Sequence, residues 1–165
     1  MLEREFSLTR QTTRLFPLVL LTVAFGIAHA QAKPNFSGTW KVNVAKSDFG
    51  AMPAPDSRTD KITHEDPDLK VHVAQSNQMG EMNYDAAYTT DGKESTNSVG
   101  GNVFKSTVKW DGDDLSIETK GSFNGNDFTA KDRWTLSEDG KTMTVQRHLA
   151  SAMGETDQKV VFEKQ

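Results

Sequence analysis

The chain has 165 residues, 35% hydrophobic and 25% charged, with a formal net charge of −4 and no cysteine. That length supplies one core-forming domain, and the acidic balance excludes a protein that gathers on nucleic acid or anionic lipid by charge alone. The lack of cysteine excludes disulfide staples, thiol catalysis and Cys-ligated metal.

In chain order the first segment has the layout of a secretory signal peptide. Arg4, Arg10 and Arg14 form a basic start, and Leu15 to Ala28 is an apolar run too short to span a bilayer comfortably. Ala28-His29-Ala30 and Ala30-Gln31-Ala32 then offer small-residue cleavage patterns. No two arginines in this segment are adjacent, which argues against a twin-arginine route. Residues 1–32 are therefore read as a signal peptide, cut after Ala30 or Ala32, with an uncleaved anchor as the alternative. Residues 33–165 form the expected mature domain, secreted or periplasmic, monomeric and without a membrane span. Setting residues 1–32 aside removes three Arg and two Glu, so 19 basic and 23 acidic residues become 16 and 21, a net charge near −5.

The remainder reads as strands punctuated by turn signals. Asp91-Gly92, Asp111-Gly112, Asn124-Gly125 and Asp139-Gly140 are hairpin dipeptides, joined by Gly100-Gly101, Gly80 and Gly154. Tight hairpin turns need positive φ, which Gly adopts without steric cost. Between them the apolar residues alternate with period two, the mark of strands with one buried and one wet face. Leu69, Val71 and Val73 share a face against Lys70 and His72; Met82, Tyr84, Ala86 and Tyr88 line up; so do Phe104, Ser106, Val108 and Trp110. Leu115 and Ile117 follow, then Phe128, Ala130, Asp132, Trp134 and Leu136, then Met143, Val145, Arg147 and Leu149. With strands at 38–44, 57–65, 93–99 and 157–163 the count is about ten. Residues 45–57 make a Pro-rich loop rather than a helix. A meander of this length leaves two exposed edges unless it closes. The expected fold class is all-β, an up-and-down antiparallel β-barrel of about 8–10 strands, with a two-sheet sandwich as the alternative.

On that architecture, Phe36-Ser37-Gly38-Thr39-Trp40-Lys41 resembles the Gly-x-Trp motif on the first strand of the calycins, the group of lipocalins and fatty-acid-binding proteins. The nearest likeness is to small secreted bacterial lipocalin-like proteins. They share this stretch, the Lys46-Ser47-x-Phe49-Gly50 loop, Thr89-Thr90-Asp91-Gly92-Lys93-Glu94 and Trp134-Thr135-Leu136-Ser137-x-Asp139-Gly140-Lys141-Thr142. The likeness spans Phe36 to Gln165. It implies that Gly38 lets the chain bend and that Trp40 is a structural barrel plug, with a basic residue from a late strand across its indole. Arg147 and Lys164 are the candidates for that cover. Two features depart from the fatty-acid-binding proteins: the lidding helix pair has no counterpart in residues 45–57, and the last strand lacks their Arg-x-Tyr carboxylate clamp.

The chemistry-bearing residues are few. Arg147 falls on an inward face, where an unpaired charge is very costly. It is read as a partner of Asp132, as the cover over Trp40, or as the anchor for a ligand's acidic group. Tyr84, Tyr88, Phe104, Trp110, Phe128 and Trp134 are the other ligand-binding candidates, and the same side chains would serve equally to fill the barrel. Ser95 and Asn97 form a polar face on a wet strand at the mouth or a polar lining. Of the mature histidines, only His64 alternates inward. No His pair has metal-ligand spacing, and no phosphate loop or nucleophile motif is present, so neither metal nor cofactor is expected. Asp111 to Asp114 reads as a hairpin turn rather than a calcium loop, and Asn35-Phe36-Ser37 is a glycosylation sequon. The expected function is non-catalytic binding of a small hydrophobic or amphipathic molecule. The alternative is a module, such as an inhibitor, that contacts another envelope or extracellular protein from a filled barrel.

Overall fold

The computed structural model describes residues 33–165 apart from Met79 and Asn124. The signal segment at 1–32 lies outside the described residues, as does one residue of the Asn124-Gly125 turn signal. Ten strands run β1 Gly38–Val42, β2 Ser57–Glu65, β3 Asp68–Asn77, β4 Gly80–Thr89, β5 Asp91–Val99, β6 Asn102–Asp111, β7 Asp114–Phe123, β8 Asn126–Leu136, β9 Thr142–Ser151 and β10 Gly154–Lys164. They form one antiparallel sheet in the order β4-β3-β2-β1-β10-β9-β8-β7-β6-β5. Each strand therefore pairs with its chain neighbours except at the β4–β5 step, and the meander wraps until β1 meets β10, with Trp40 opposite Lys164. This is an up-and-down barrel, not a sandwich.

The alternation sets the faces as expected. Leu69, Val71, Val73, Val108, Leu115, Ile117, Met143 and Val145 are buried, and together with Phe36, Trp40, Ile62, Trp134 and Phe162 they form one hydrophobic cluster. His72 and His148 point outward, where each ring Nδ1 lies 2.8 Å from a carboxylate oxygen, of Asp85 and Asp157 respectively. The turn at Asp111 to Asp114 works as a hairpin, with Gly112 at φ 63°, and Arg133 holds both carboxylates at 2.8 and 2.6 Å.

The seam of the barrel lies between β4 and β5, the two ends of the sheet. Here the side chain of Asn97 substitutes for a backbone ladder. Its Oδ1 accepts from the Ala87 N–H at 2.8 Å and its Nδ2 donates to the Ala87 carbonyl at 3.0 Å. A primary amide carries the same donor and acceptor as a peptide unit, so one Asn satisfies both orphaned groups of an edge residue.

One end of the barrel is closed by the stretch that leads into β1. Trp40 is fully buried and its Nε1 donates to the Phe36 carbonyl at 2.9 Å. The ammonium of Lys164 lies 5.2 Å from the centre of the indole. Lys164 is thus the basic cover, and the candidacy of Arg147 for this place is corrected: Arg147 is held elsewhere by Asp132. Gly38 explains how Lys164 gets there. Its φ is 142°, and a Cβ at this position would sit 2.5 Å from Lys164 Cε, so the absent side chain is the passage for the lysine. Phe36 packs on Trp110 and Trp134 with ring centres 6.2 Å apart in each case.

His64 is buried beneath this plug at 3% exposure, and its Nδ1 accepts the Phe36 N–H at 3.2 Å. An acceptor nitrogen carries no proton, so the ring is neutral with its proton on Nε2. Nε2 is 3.7 Å from Asp66 Oδ1 and makes no hydrogen bond to the described residues. Asp66 Oδ1 is already committed to the Thr90 hydroxyl and to Trp110 Nε1. Burial holds the His64 pKa below its ordinary 6.5, although Asp66 acts in the other direction. Below about pH 6.5 the unfolded chain therefore takes up a proton that the folded ring resists. This contribution to stability is fully present above that pH and is lost as the pH falls through the lowered folded value. Melting temperatures between about pH 7 and pH 5 should fall more steeply for the wild type than for His64→Asn, which keeps an acceptor near Nδ1 but cannot titrate. Parallel slopes would remove His64 as the cause.

Candidate functional site

Above the plug the barrel is not filled. A cavity of about 790 Å³ opens at the opposite end, within the range that holds small-molecule ligands. Its mouth is built from the loop after β1 and from the turns of the hairpins. The loop is fastened to β10, since Asp48 and Lys159 exchange backbone hydrogen bonds at 2.7 Å and Gln158 Nε2 donates to the Phe49 carbonyl at 3.0 Å. Gly50, at φ 57°, allows the closest approach, because a Cβ there would meet the Asp157 carbonyl oxygen at 2.4 Å. Phe49, Met52, Pro53 and Pro55 of this loop join the lining. Among the described residues the loop contains one 3-10 turn, Val44–Lys46, and no α-helix covers the mouth. Met52, Met82, Phe123 and Met153 leave large apolar surfaces exposed around the opening.

The structure brings Tyr84, Tyr88, Phe104, Phe128, Trp134 and Arg147 to the cavity wall. Phe104 and Phe128 stack at a tilt, 5.6 Å between ring centres, over the space left by Gly121, where a Cβ would lie 2.2 Å from the Phe104 ring. Trp110 is the exception among the candidates. It has the expected parity on β6, but it lies at the closed end, beside His64 and under Lys33 Nζ, 5.4 Å from its ring centre, and does not reach the cavity. Parity sets the face of a strand, whereas height along the barrel depends on the stagger of all ten strands. Asn97 lines the cavity beside the seam, so the polar strand β5 is both wet edge and polar lining.

Two ion pairs cross the cavity wall. Arg147 binds Asp132 through Nε at 2.7 Å and Nη2 at 2.6 Å, the bidentate pair expected from their inward faces. Arg58 binds Asp60 in the same fork, 2.8 Å at both contacts, with its guanidinium 5.4 Å from the Phe162 ring centre. Sequence reasoning passed over this second pair, yet the signal was present: Arg58 and Asp60 share the parity of Ile62 and His64 on β2. Burial pulls the Arg58 pKa down, but the charge and hydrogen bonds of Asp60 override it and leave the pKa raised. The Asp132 charge raises that of Arg147 against the effect of burial. Burial pushes the Tyr88 hydroxyl up as well, so it is a neutral donor in ordinary conditions. The Ser106 and Thr119 hydroxyls bond each other at 2.8 Å on the same wall.

No group of three or more His, Asp or Glu among the described residues is arranged to hold a metal ion, and no described helix is long and apolar enough to cross a membrane. A meander barrel with a first-strand Gly-x-Trp plug at one end and an open cavity at the other is a calycin-like barrel. The chain matches no protein-family model, and no curated protein matches it. Solved structures share the fold. Zebrafish ileal bile acid-binding protein, complexed with cholic acid, superposes with a TM-score of 0.55 at 20% identity over 79% of this chain and 98% of its own. A secretory abundant heat soluble protein from Ramazzottius varieornatus gives 0.56 at 15% identity, covering 78% and 94%. Human cRBP IV gives 0.53 at 17% identity, covering 80% and 99%.

Proposed function

We propose that this protein is a secreted or periplasmic binding protein that holds a small hydrophobic or amphipathic molecule and does no chemistry on it. The observation that carries this reading is the open cavity of about 790 Å³, apolar over most of its wall and crossed by a narrow band of polar groups. The neighbour crystallised with cholic acid uses the same fold to bind a bile acid, which supports the reading by analogy of architecture. Among the described residues the cavity wall carries two carboxylates, Asp60 and Asp132, and both are held in bidentate forks rather than set beside a nucleophile. Export rests on residues 1–32, whose basic start, apolar run and Ala-x-Ala patterns suit a cleaved signal.

The test is uptake of an environment-sensitive apolar dye by residues 33–165, with native mass spectrometry of protein purified from its own host. The expected result is one-to-one binding with a micromolar dissociation constant, displaced by a copurified amphiphile. Absence of both dye binding and copurified ligand would refute it. N-terminal sequencing of the mature protein should read Gln31 or Lys33 first.

A further inference from the structure

The charges of the cavity point to the class of ligand. Among the described residues its wall carries four charged side chains, Arg58, Asp60, Asp132 and Arg147, and these cancel. Each guanidinium spends Nε and Nη2 on its own aspartate, whose side chain is nearly out of solvent, 2% exposed for Asp60 and 8% for Asp132. No cation on the wall is left over for a ligand's carboxylate. An acid entering here would lose its hydration and find each guanidinium's charge already matched by an aspartate in contact with it. The unspent groups are donors instead. Nη1 of each arginine makes no hydrogen bond to the described residues, and Tyr88 keeps its hydroxyl proton.

Resting on the binding function proposed above, we infer that the ligand is an uncharged amphiphile, an apolar chain or ring system whose head is a hydroxyl, carbonyl or ester that accepts hydrogen bonds. The two Arg–Asp forks act as the specificity filter. They present donors to a neutral oxygen and, through the aspartates, reject a free carboxylate. Removing one aspartate's charge should turn the filter round, because it frees a guanidinium within the cavity.

The experiment compares 1-decanol, methyl decanoate and decanoate by titration calorimetry at about pH 8, where the acid is fully ionised. The alcohol and the ester are expected to bind at least about tenfold more tightly than the acid. Decanoate binding equally or more tightly overturns this inference and leaves the carrier function standing. Binding of none of the three, with no dye uptake, overturns both. In Asp132→Asn, decanoate affinity should rise about tenfold relative to that of 1-decanol. An unchanged ratio of the two affinities in folded Asp132→Asn overturns the filter. Should that variant fail to fold, the wild-type comparison decides the matter alone.

Discussion

Replacing Trp40 by Ala is expected to lower the unfolding free energy by about 3–5 kcal/mol, a large part of the ~5–15 kcal/mol that holds a typical domain together. The indole is fully buried, and an aromatic side chain of this size excludes on the order of 200 Å² from water. The substitution also strands the Phe36 carbonyl that accepts from Nε1, and leaves Lys164 lying over a void. Collapse cannot heal the hole, because the β1 backbone is pinned on both sides by β2 and β10. Trp40→Phe should cost less, since it restores most of the volume but not the hydrogen bond. Chemical denaturation checks this directly. A loss below about 1 kcal/mol for Trp40→Ala would mean that the closed end is not where stability resides.

The second large effect is expected at Asp60. Asp60→Ala leaves Arg58 charged and unpaired in a site where its side chain is 19% exposed, at a cost of about 3 kcal/mol. Removing both charges with Arg58→Met and Asp60→Leu together should restore stability to within about 1 kcal/mol of wild type, as a buried pair replaced by apolar groups of similar size often does. The Arg147–Asp132 pair is a built-in control. Arg147 is 34% exposed, so water partly compensates it and Asp132→Ala should cost less than Asp60→Ala. Simple additivity in the Arg58/Asp60 cycle, or the reverse order of the two pairs, would contradict this assignment.

Sequence alone determined the strands, their faces and the order of the meander, because each depends on neighbours close in the chain. Period-two alternation put Leu69, Val71 and Val73 inward and His72 outward, and Gly after Asp or Asn marked the hairpins. It put Arg147 and Asp132 on inward faces of adjacent strands and offered their pairing as one of three readings, and the structure chose that one. Gly38 and Trp40 were legible as bend and plug through the resemblance of their stretch to the first-strand Gly-x-Trp motif of the calycins.

What only the tertiary structure decided are quantities set by closure. Whether the inward aromatics fill the barrel or enclose a space depends on barrel radius and strand stagger, which no local pattern encodes. The same stagger drops Trp110 to the closed end while Phe104, six residues earlier on one strand, reaches the cavity. Lys164 rather than Arg147 covers Trp40 because β1 pairs with β10, a contact across nearly the whole chain. That Arg58 and Asp60 share the cavity wall with Arg147 and Asp132, two matched pairs in one space, is a fact of the closed barrel alone. Parity reports that each residue faces inward, but only the closed barrel shows which inward charges meet.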